Sequence, residues 1–388
     1  MKQLIKKFTA HPASIGETYF QHLNFTIKGA LYLIKVALGL LSHGFFPFLF
    51  TNYARDKVSV LEQKLLKRNP KNGAGISNSI LDLIGETPML QLNNFSSRGK
   101  SNIFAKCEMF NPTLSIKDRI VLFMLKQYEK DKKLKPGYTI YEASSGNTGS
   151  SLAMIAAVLG YKAVITVPAK TSQEKIDTMR AFGANVIICQ SGINIDSPEH
   201  YTNKAYILSK DDSNSIYFNQ YDNHENVNAH YSLTACEIWR QMDGKIDYFI
   251  APASSGGTIS GVGKFLKQKN PNIKIVLPDP VGSVFYDYFY GNELKSESYQ
   301  VEGAGKDKVC RIHDFSVIDQ VIRFTDEEAF GAAKRLALTE GVLSGGSSGG
   351  ALAVAEKLIE ALPNNELLRI VVMLPDSGFK YLSKIYKK

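Results

Sequence analysis

Asn111-Pro112-Thr113-Leu114-Ser115-Ile116-Lys117-Asp118-Arg119 and, about thirty residues on, Ser144-Ser145-Gly146-Asn147-Thr148-Gly149 carry most of what this 388-residue chain discloses. The first places a lysine just ahead of a helix-period pattern. The second follows a β-branched run and opens an apolar helical pattern. Two more loops have the same setting: Ser254-Ser255-Gly256-Gly257-Thr258 and Gly345-Gly346-Ser347-Ser348-Gly349. Small residues at a strand-to-helix junction let backbone N–H groups close on an anion. Any one of these loops alone is an ordinary capped turn, and Lys117 alone is a solvated helix residue; their spacing as a set points to a ligand site.

Outward from these loops, short β-branched runs alternate with helical patterns. Strands are expected at 103–107, 138–143, 163–167, 185–189, 247–251, 273–277 and 369–374. Helices are expected near 117–130, 149–159, 172–182, 228–242, 258–268, 326–340 and 349–361. Such alternation argues for an α/β fold of parallel-rich sheets flanked by helices. Thr171-x-x-Glu174 and Thr325-x-x-Glu328 have the spacing of capping boxes. The linker-like stretch Asn69-Pro70-Lys71-Asn72-Gly73-Ala74-Gly75 divides an arm, 1–70, from a body, 71–388.

The net charge of +9 sits mainly in the arm, where ten Lys/Arg face three acids and leave +7. With about +2 spread over the body, no nucleic-acid partner is expected. The four cysteines are far apart and the seven histidines have no ligand spacing. They read as reduced thiols in a cytosolic protein without a metal site.

Within the arm, 29–50 is almost wholly apolar and as a helix would span roughly 33 Å, about one bilayer core. Gly44 and Pro47 interrupt it, and Phe45, Phe46, Phe48, Phe50 and Tyr53 gather at one end. The broken, aromatic-ended pattern favours a helical anchor lying in or re-entering the membrane surface through 25–53, with a full span or soluble packing as the other readings. The body is expected to be cytoplasmic, attached to the inner face. His11–Tyr19 resembles a small uncharacterised bacterial membrane-associated family.

Taken together, the motifs resemble the family of cystathionine β-synthase and cysteine synthase, pyridoxal-phosphate enzymes, from about Ile76 to about Tyr386. The resemblance implies a two-lobed, fold-type II architecture with a smaller lobe near 112–220, usually as a homodimer. It implies that Lys117 binds the cofactor covalently and takes the substrate Cα proton, since a lysine amine can be both imine nucleophile and proton carrier. It places Asn147 on the cofactor ring hydroxyl and Ser254, Ser255, Gly256, Gly257 and Thr258 around its phosphate. Ser347 falls at the pyridine nitrogen, where a neutral hydroxyl favours loss of a β-substituent over transamination. Ser144, Ser145, Gly146 and Thr148 are implied to hold the substrate carboxylate. Gln220-Tyr221, Asp279-Pro280-Val281-Gly282-Ser283, Val301-Glu302-Gly303 and Pro375-Asp376-Ser377 also match, nearer to the cystathionine β-synthase branch; Gln220, Tyr221 and Gly303 would face substrates.

Two departures stand out. Thr113-Leu114 replaces a glycine-containing pair, which adds bulk or demands an altered backbone angle. Ser254-Ser255 replaces the Gly-Thr of the phosphate loop. The implied reaction is β-replacement on L-serine or an activated serine, giving cystathionine from homocysteine. Cysteine synthesis from O-acetylserine and sulfide is the alternative, and a non-catalytic membrane-tethered scaffold is the reading from another class. Neither a C-terminal pair of nucleotide-binding modules nor haem ligation by the arm is expected.

Overall fold

The computed structural model describes residues 19–45, 57–58, 76–95, 101–144, 146–169, 171–190, 192–194, 196–361 and 367–387. The chain forms two compact units that divide at Asn78 and Ser79; the linker-like stretch 69–75 lies outside the described residues. In the first unit, helix α1 (Tyr19–Phe45) runs unbroken through Gly29, and the Tyr32 hydroxyl donates to the Lys57 carbonyl (3.2 Å). Gly44 falls in its last turn, and Pro47 and the aromatics beyond Phe45 lie outside the described residues.

The second unit is built on two sheets. Six strands form the larger one: β1 (Met89–Leu92), β2 (Ser101–Cys107), β10 (Leu368–Leu374), β7 (Tyr248–Ile250), β8 (Lys274–Pro280) and β9 (Gln320–Phe324), in that spatial order. All neighbours are parallel except β1 and β2. The smaller sheet is wholly parallel, with order β5 (Asn185–Cys189), β4 (Lys162–Pro168), β3 (Thr139–Ala143) and β6 (Ser215–Tyr217). The helices are α2 (Lys117–Lys130), α3 (Asn147–Leu159), α4 (Gln173–Ala181), α5 (Tyr201–Asp211), α6 (Glu225–Ala229), α7 (Ala235–Gln241), α8 (Gly257–Lys269), α9 (Phe285–Tyr290), α10 (Asp326–Glu340) and α11 (Gly346–Ala361).

The alternation along β10 shows why the strand must be central. Ile370, Val372 and Leu374 enter the core formed with α10 and α11, while Val371 and Met373 enter the core beneath α7 and α8. A third core joins the smaller sheet to α2 and α3 through Ile120, Met124, Leu152, Ile155, Ile165 and Val167.

The seven expected strands and the expected helices are present with small shifts at their ends, except that 228–242 is divided by a π-turn at His230–Thr234. Sequence reading missed β1, β6 and β9, which are short or at sheet edges, and α5 and α9. Of the two capping boxes, Thr325–Glu328 forms with both bonds. Thr171–Glu174 does not: α4 starts at Gln173, so Ser172 takes the cap position and the buried Thr171 hydroxyl has no partner.

The crossing of α10 and α11 sets one strict packing requirement, because a Cβ on Gly349 would lie 1.9 Å from the Ala329 carbonyl oxygen. Gly349→Ala is expected to cost about 3 kcal/mol in urea unfolding, at the upper end for overpacking, whereas Thr325→Ala should cost about 1 kcal/mol through the lost cap. Equal small losses would mean that the helices separate freely.

Candidate active site

The loops that follow parallel strands collect at their C-terminal ends, where open α/β sheets place ligands. Lys117 is the first residue of α2. Its segment is tied to the loop after β10 by a short antiparallel bridge, in which Ile116 N–H donates to the Pro375 carbonyl (2.8 Å) and Ser377 N–H to the Leu114 carbonyl (3.2 Å). Leu114 has φ +60, so the substitution for glycine shows itself as a backbone angle that costs a leucine about 1–2 kcal/mol. Asp118 steadies the turn by accepting from Thr113 N–H (2.7 Å), the Thr113 hydroxyl and the Ser151 hydroxyl (2.5 Å).

Lys117 Nζ has no hydrogen-bond or ion-pair partner among the described residues. Burial lowers its pKa to about 8 against the opposing pull of Asp376. Such an amine can hold and release a proton near neutrality.

Two residues on, Arg119 is almost fully buried. Its guanidinium reaches Glu108 (Nε to Oε2, 2.6 Å) and Glu237 (Nη1 to Oε1, 2.6 Å), and Lys106 closes the cluster on Glu237 (3.0 Å). Burial alone would raise the Glu237 pKa, but the bonds and charge of Arg119, with Lys106, hold it at about 2.

Asn147 opens α3 and lies between opposite charges: its Nδ2 donates to Asp376 Oδ2 (2.7 Å) and its Oδ1 accepts from Lys380 Nζ (2.6 Å). Tyr381 also donates to Asp376 Oδ2 (2.7 Å), and Asp376 Oδ1 is buried without a partner among the described residues. Ser144 Oγ accepts from the N–H groups of Gly149 (3.1 Å) and Gly146 (3.4 Å), fixing the loop onto the helix start. The Thr148 hydroxyl donates to Gln220 Oε1 (2.7 Å). Ser145 lies outside the described residues.

The 254–258 loop needs its glycines for space. A Cβ on Gly256 (φ +91) would lie 2.5 Å from the His313 ring, and one on Gly257 1.9 Å from Asn226 Oδ1. Asn226 Nδ2 donates to Ser255 Oγ (3.2 Å), while Ser254 is half-buried. Thr258 Oγ1 is 3.2 Å from His230 Nε2. Burial first, then the charges of Lys117 and Arg119, pushes the His230 pKa down and keeps it neutral. Asn226 Oδ1 and His313 Nε2 are buried and unpartnered beside the loop.

Ser347 is buried and its hydroxyl has no partner among the described residues; a Cβ on Gly303 would lie 3.6 Å from it. Tyr221 lies under the Lys306 ammonium, 4.0 Å from the ring centroid. A cavity of about 580 Å³ opens beside Leu114, Gly146, Asn147 and Lys380, ample for an amino acid. An anion cradle emptied of side chains, an unpartnered neutral hydroxyl and an unpartnered amine are the groups that a phosphorylated pyridine aldehyde requires.

A sequence profile of pyridoxal-phosphate-dependent enzymes matches residues 80–376. The chain belongs to this family. Its members use pyridoxal phosphate, and the two-lobed α/β fold agrees with that membership. A second profile, of a family of unknown function, matches residues 5–68. Among curated relatives, a cystathionine β-synthase of Apis mellifera is 46% identical, covering 81% of this chain and 62% of its own, and that of Mus musculus is 43% identical, covering 82% and 56%. The chain thus spans about three fifths of the length of these relatives. An O-acetylserine-dependent cystathionine β-synthase of Bacillus subtilis is 38% identical, covering 80% of this chain and 97% of its own. The crystal structure of an O-ureido-L-serine synthase superposes with a TM-score of 0.74 at 31% identity, covering 80% and 95%.

In this pyridoxal-phosphate enzyme the Thr148–Gln220 pair is linked through Asn226 to Ser255 of the 254–258 loop, Asn147 is bonded to Asp376, whose charge acts on Lys117, and Gly303 lies against Ser347. Sequence reading missed the groups behind them: Glu142, Lys380 and the Arg119 cluster. Charged residues inside strand and helix patterns otherwise buried, such as Glu142 in Thr139–Ala143, were the available signal. Arg119→Met strands two buried carboxylates and should cost about 3–5 kcal/mol at neutral pH in denaturant unfolding. Because the Glu237 pKa is depressed, its stabilising share is present above about pH 4.5 and fades as pH falls through about 2; a loss unaffected by acid would sink this account.

Proposed function

We propose that this enzyme catalyses β-replacement on L-serine or an activated serine, with homocysteine as the incoming thiol and cystathionine as product. The observation that carries the reading is the buried, unpartnered Lys117 amine, acted on by the same Asp376 that binds the Asn147 amide next to the Thr148–Gln220 pair. When bound, pyridoxal phosphate supplies the electron sink that weakens the bonds at Cα and Cβ. Lys117, with its pKa drawn down by burial, takes the Cα proton as a neutral amine and, as ammonium, delivers it to the departing β-substituent. Ser144, Ser145, Gly146, Thr148 and Gln220 hold the amino-acid carboxylate. Asn147 holds the ring hydroxyl, residues 254–258 the phosphate and Ser347 the ring nitrogen. Tyr221 and Gly303 line the side from which the thiol enters.

The Bacillus relative named for O-acetylserine, which this chain nearly spans, favours an activated serine as donor. Sulfide as acceptor is the second reading. A scaffold of the same fold has no use for an unpartnered buried amine. The purified full chain, loaded with pyridoxal phosphate, should make cystathionine from homocysteine and L-serine or O-acetyl-L-serine. Lys117→Ala should lose at least about 10³-fold in rate together with the cofactor's visible band; wild-type enzyme that shows the band yet makes neither cystathionine nor cysteine would reject the reading.

We also propose that the body is cytoplasmic and homodimeric and that α1 holds it to the membrane surface. Exposed Leu90 and Phe110 line one groove of the body, as a dimer contact would. Among the described residues one helix, Leu23–Phe45, is long and apolar enough to cross a bilayer, with mean hydropathy 1.5 and most of its residues exposed. Ile27, Leu31, Ile34, Leu38 and Leu41 recur at helical spacing and are all exposed, whereas Asn24, Lys28, Lys35 and Ser42 form a polar line. Exposed Leu33 and Leu40 widen the apolar surface beyond that stripe, but Lys28 and Lys35 within the helix favour a place in the interface over a span. The full chain should float with vesicles of mixed phosphatidylglycerol and phosphatidylcholine, and Leu31→Glu with Leu38→Glu should abolish flotation; equal flotation of both would sink the proposal.

A further inference from the structure

We propose that Glu142 sets the direction of the hydrogen bonds in the Thr148–Gln220 pair and thereby governs how tightly the cradle holds an amino-acid carboxylate. The inference rests on the reading of that cradle given above and deepens it.

Glu142 is buried on β3, two residues before Ser144. Its Oε1 accepts from Gln220 Nε2 (2.9 Å) and its Oε2 from Asn219 N–H (2.9 Å). Asn219 sits at φ +53, so the chain bends sharply to deliver that donor. The Gln220 backbone is pinned in turn, its carbonyl accepting from Asn226 Nδ2 (2.9 Å). The pair therefore has one remaining freedom, rotation of the Gln220 amide.

Among the described residues no cation pairs with Glu142. The titratable groups facing it are phenols: Tyr128 from α2, Tyr201 from α5, Tyr217 from β6 and Tyr221 beyond it, all pushed up chiefly by burial. Lys306, a positive charge that acts on Tyr201, sits over the face of Tyr221. Burial, opposed by the bonds from Gln220 and Asn219, raises the Glu142 pKa to about 8.

With Glu142 ionised, donation runs from Thr148 to Gln220 to Glu142, and the Thr148 hydroxyl proton is turned away from the cradle. A substrate carboxylate then meets a lone pair. With a proton on Glu142 Oε1, the amide turns over in place. Glu142 donates to Gln220 Oε1, Gln220 Nε2 donates to Thr148 Oγ1, and the Thr148 proton is free for the carboxylate. Asn219 N–H keeps its bond throughout. One proton is taken up at Glu142, and no heavy atom other than those of the amide moves. Binding an anion in the cradle and protonating Glu142 are thus linked.

Glu142→Gln tests this directly, since its amide nitrogen donates to Gln220 while its carbonyl keeps Asn219 N–H, the pattern of the protonated carboxyl at every pH. L-serine affinity would be read from the cofactor spectrum of full-length holoenzyme between about pH 6.5 and about pH 9.5, and the wild-type dissociation constant divided by that of the variant; the ratio should climb about tenfold per unit above about pH 8. Taking the ratio cancels the titration of the substrate amine and of Lys117. Thr148→Val, which removes the hydroxyl that Glu142 would turn, should flatten the wild-type rise on its own. A ratio constant across the range, or a rise undiminished in Thr148→Val, overturns the proposal, and matched melting temperatures at pH 7 exclude misfolding of the variants. If holoenzyme with a normal band responds to neither L-serine nor O-acetyl-L-serine, the cradle reading itself fails and the proposal falls with it.

Discussion

Arg119 carries a buried charge that two carboxylates neutralise, and the placing of Lys117 follows from it. The apolar face of α2 belongs to the core of the smaller sheet, through Ile120, Val121, Met124 and Leu125. Its Arg119 side is bonded to Glu108 at the end of β2 and to Glu237 on α7, both parts of the larger-sheet lobe. The helix is therefore shared between lobes, held by apolar contact to one and by charge to the other. Residues two apart on a helix point to nearly opposite sides, so fixing Arg119 against Glu108 and Glu237 turns Lys117 away from that cluster. Slipping the helix along its axis would leave a buried charge unpaired, a loss larger than the net worth of the pair itself. The cluster thus acts less as a source of stability than as a register mark.

Most buried polar atoms of the body have a partner, which makes the exceptions informative. Among the described residues nine buried side-chain atoms lack partners, and four of them, Asn226 Oδ1, His313 Nε2, Ser348 Oγ and Asp376 Oδ1, border the loops of the site. Each such atom costs about 1–3 kcal/mol when left unmade. Asn226 Oδ1 and His313 Nε2 flank Gly256 and Gly257, where a polar ligand would meet them, and His230, held neutral beside Thr258, keeps a hydroxyl there without adding a charge of its own.

Periodicity made β10, β8 and β4 legible because their runs are β-branched and continuous, as parallel strands covered on both faces must be. The same rule hid β6 and β1, three and four residues long, whose stability comes from pairing rather than from composition. The glycine loops could be read because their requirement is steric and local. Glu142, Lys380 and the Glu237 partner of Arg119 could not, because each acts on a residue far away in sequence; 78 positions separate Glu142 from Gln220 and 118 separate Arg119 from Glu237. The capping box at Thr171 shows the converse error. A local pattern was present, but the helix began one residue later, which puts Ser172 at the cap position without a side-chain cap bond.

Leu114 shows how a departure from a family pattern can be absorbed without loss of the site. The position requires the left-handed backbone that glycine adopts freely, and leucine occupies it only because its neighbours leave no alternative. Leu114 N–H donates to the Asn111 carbonyl (2.8 Å), its carbonyl accepts from Ser377, and Thr113 is bound through both N–H and hydroxyl to Asp118. These bonds outweigh a strain of about 1–2 kcal/mol and keep Lys117 at the head of its helix. The side chain so introduced is turned outward, lining the cavity beside Asn147 and the groove beside Phe110. Bulk that glycine would have left open becomes part of the wall of both. The substitution therefore keeps the turn that sets Lys117 at the head of its helix and changes the lining beside it rather than the backbone.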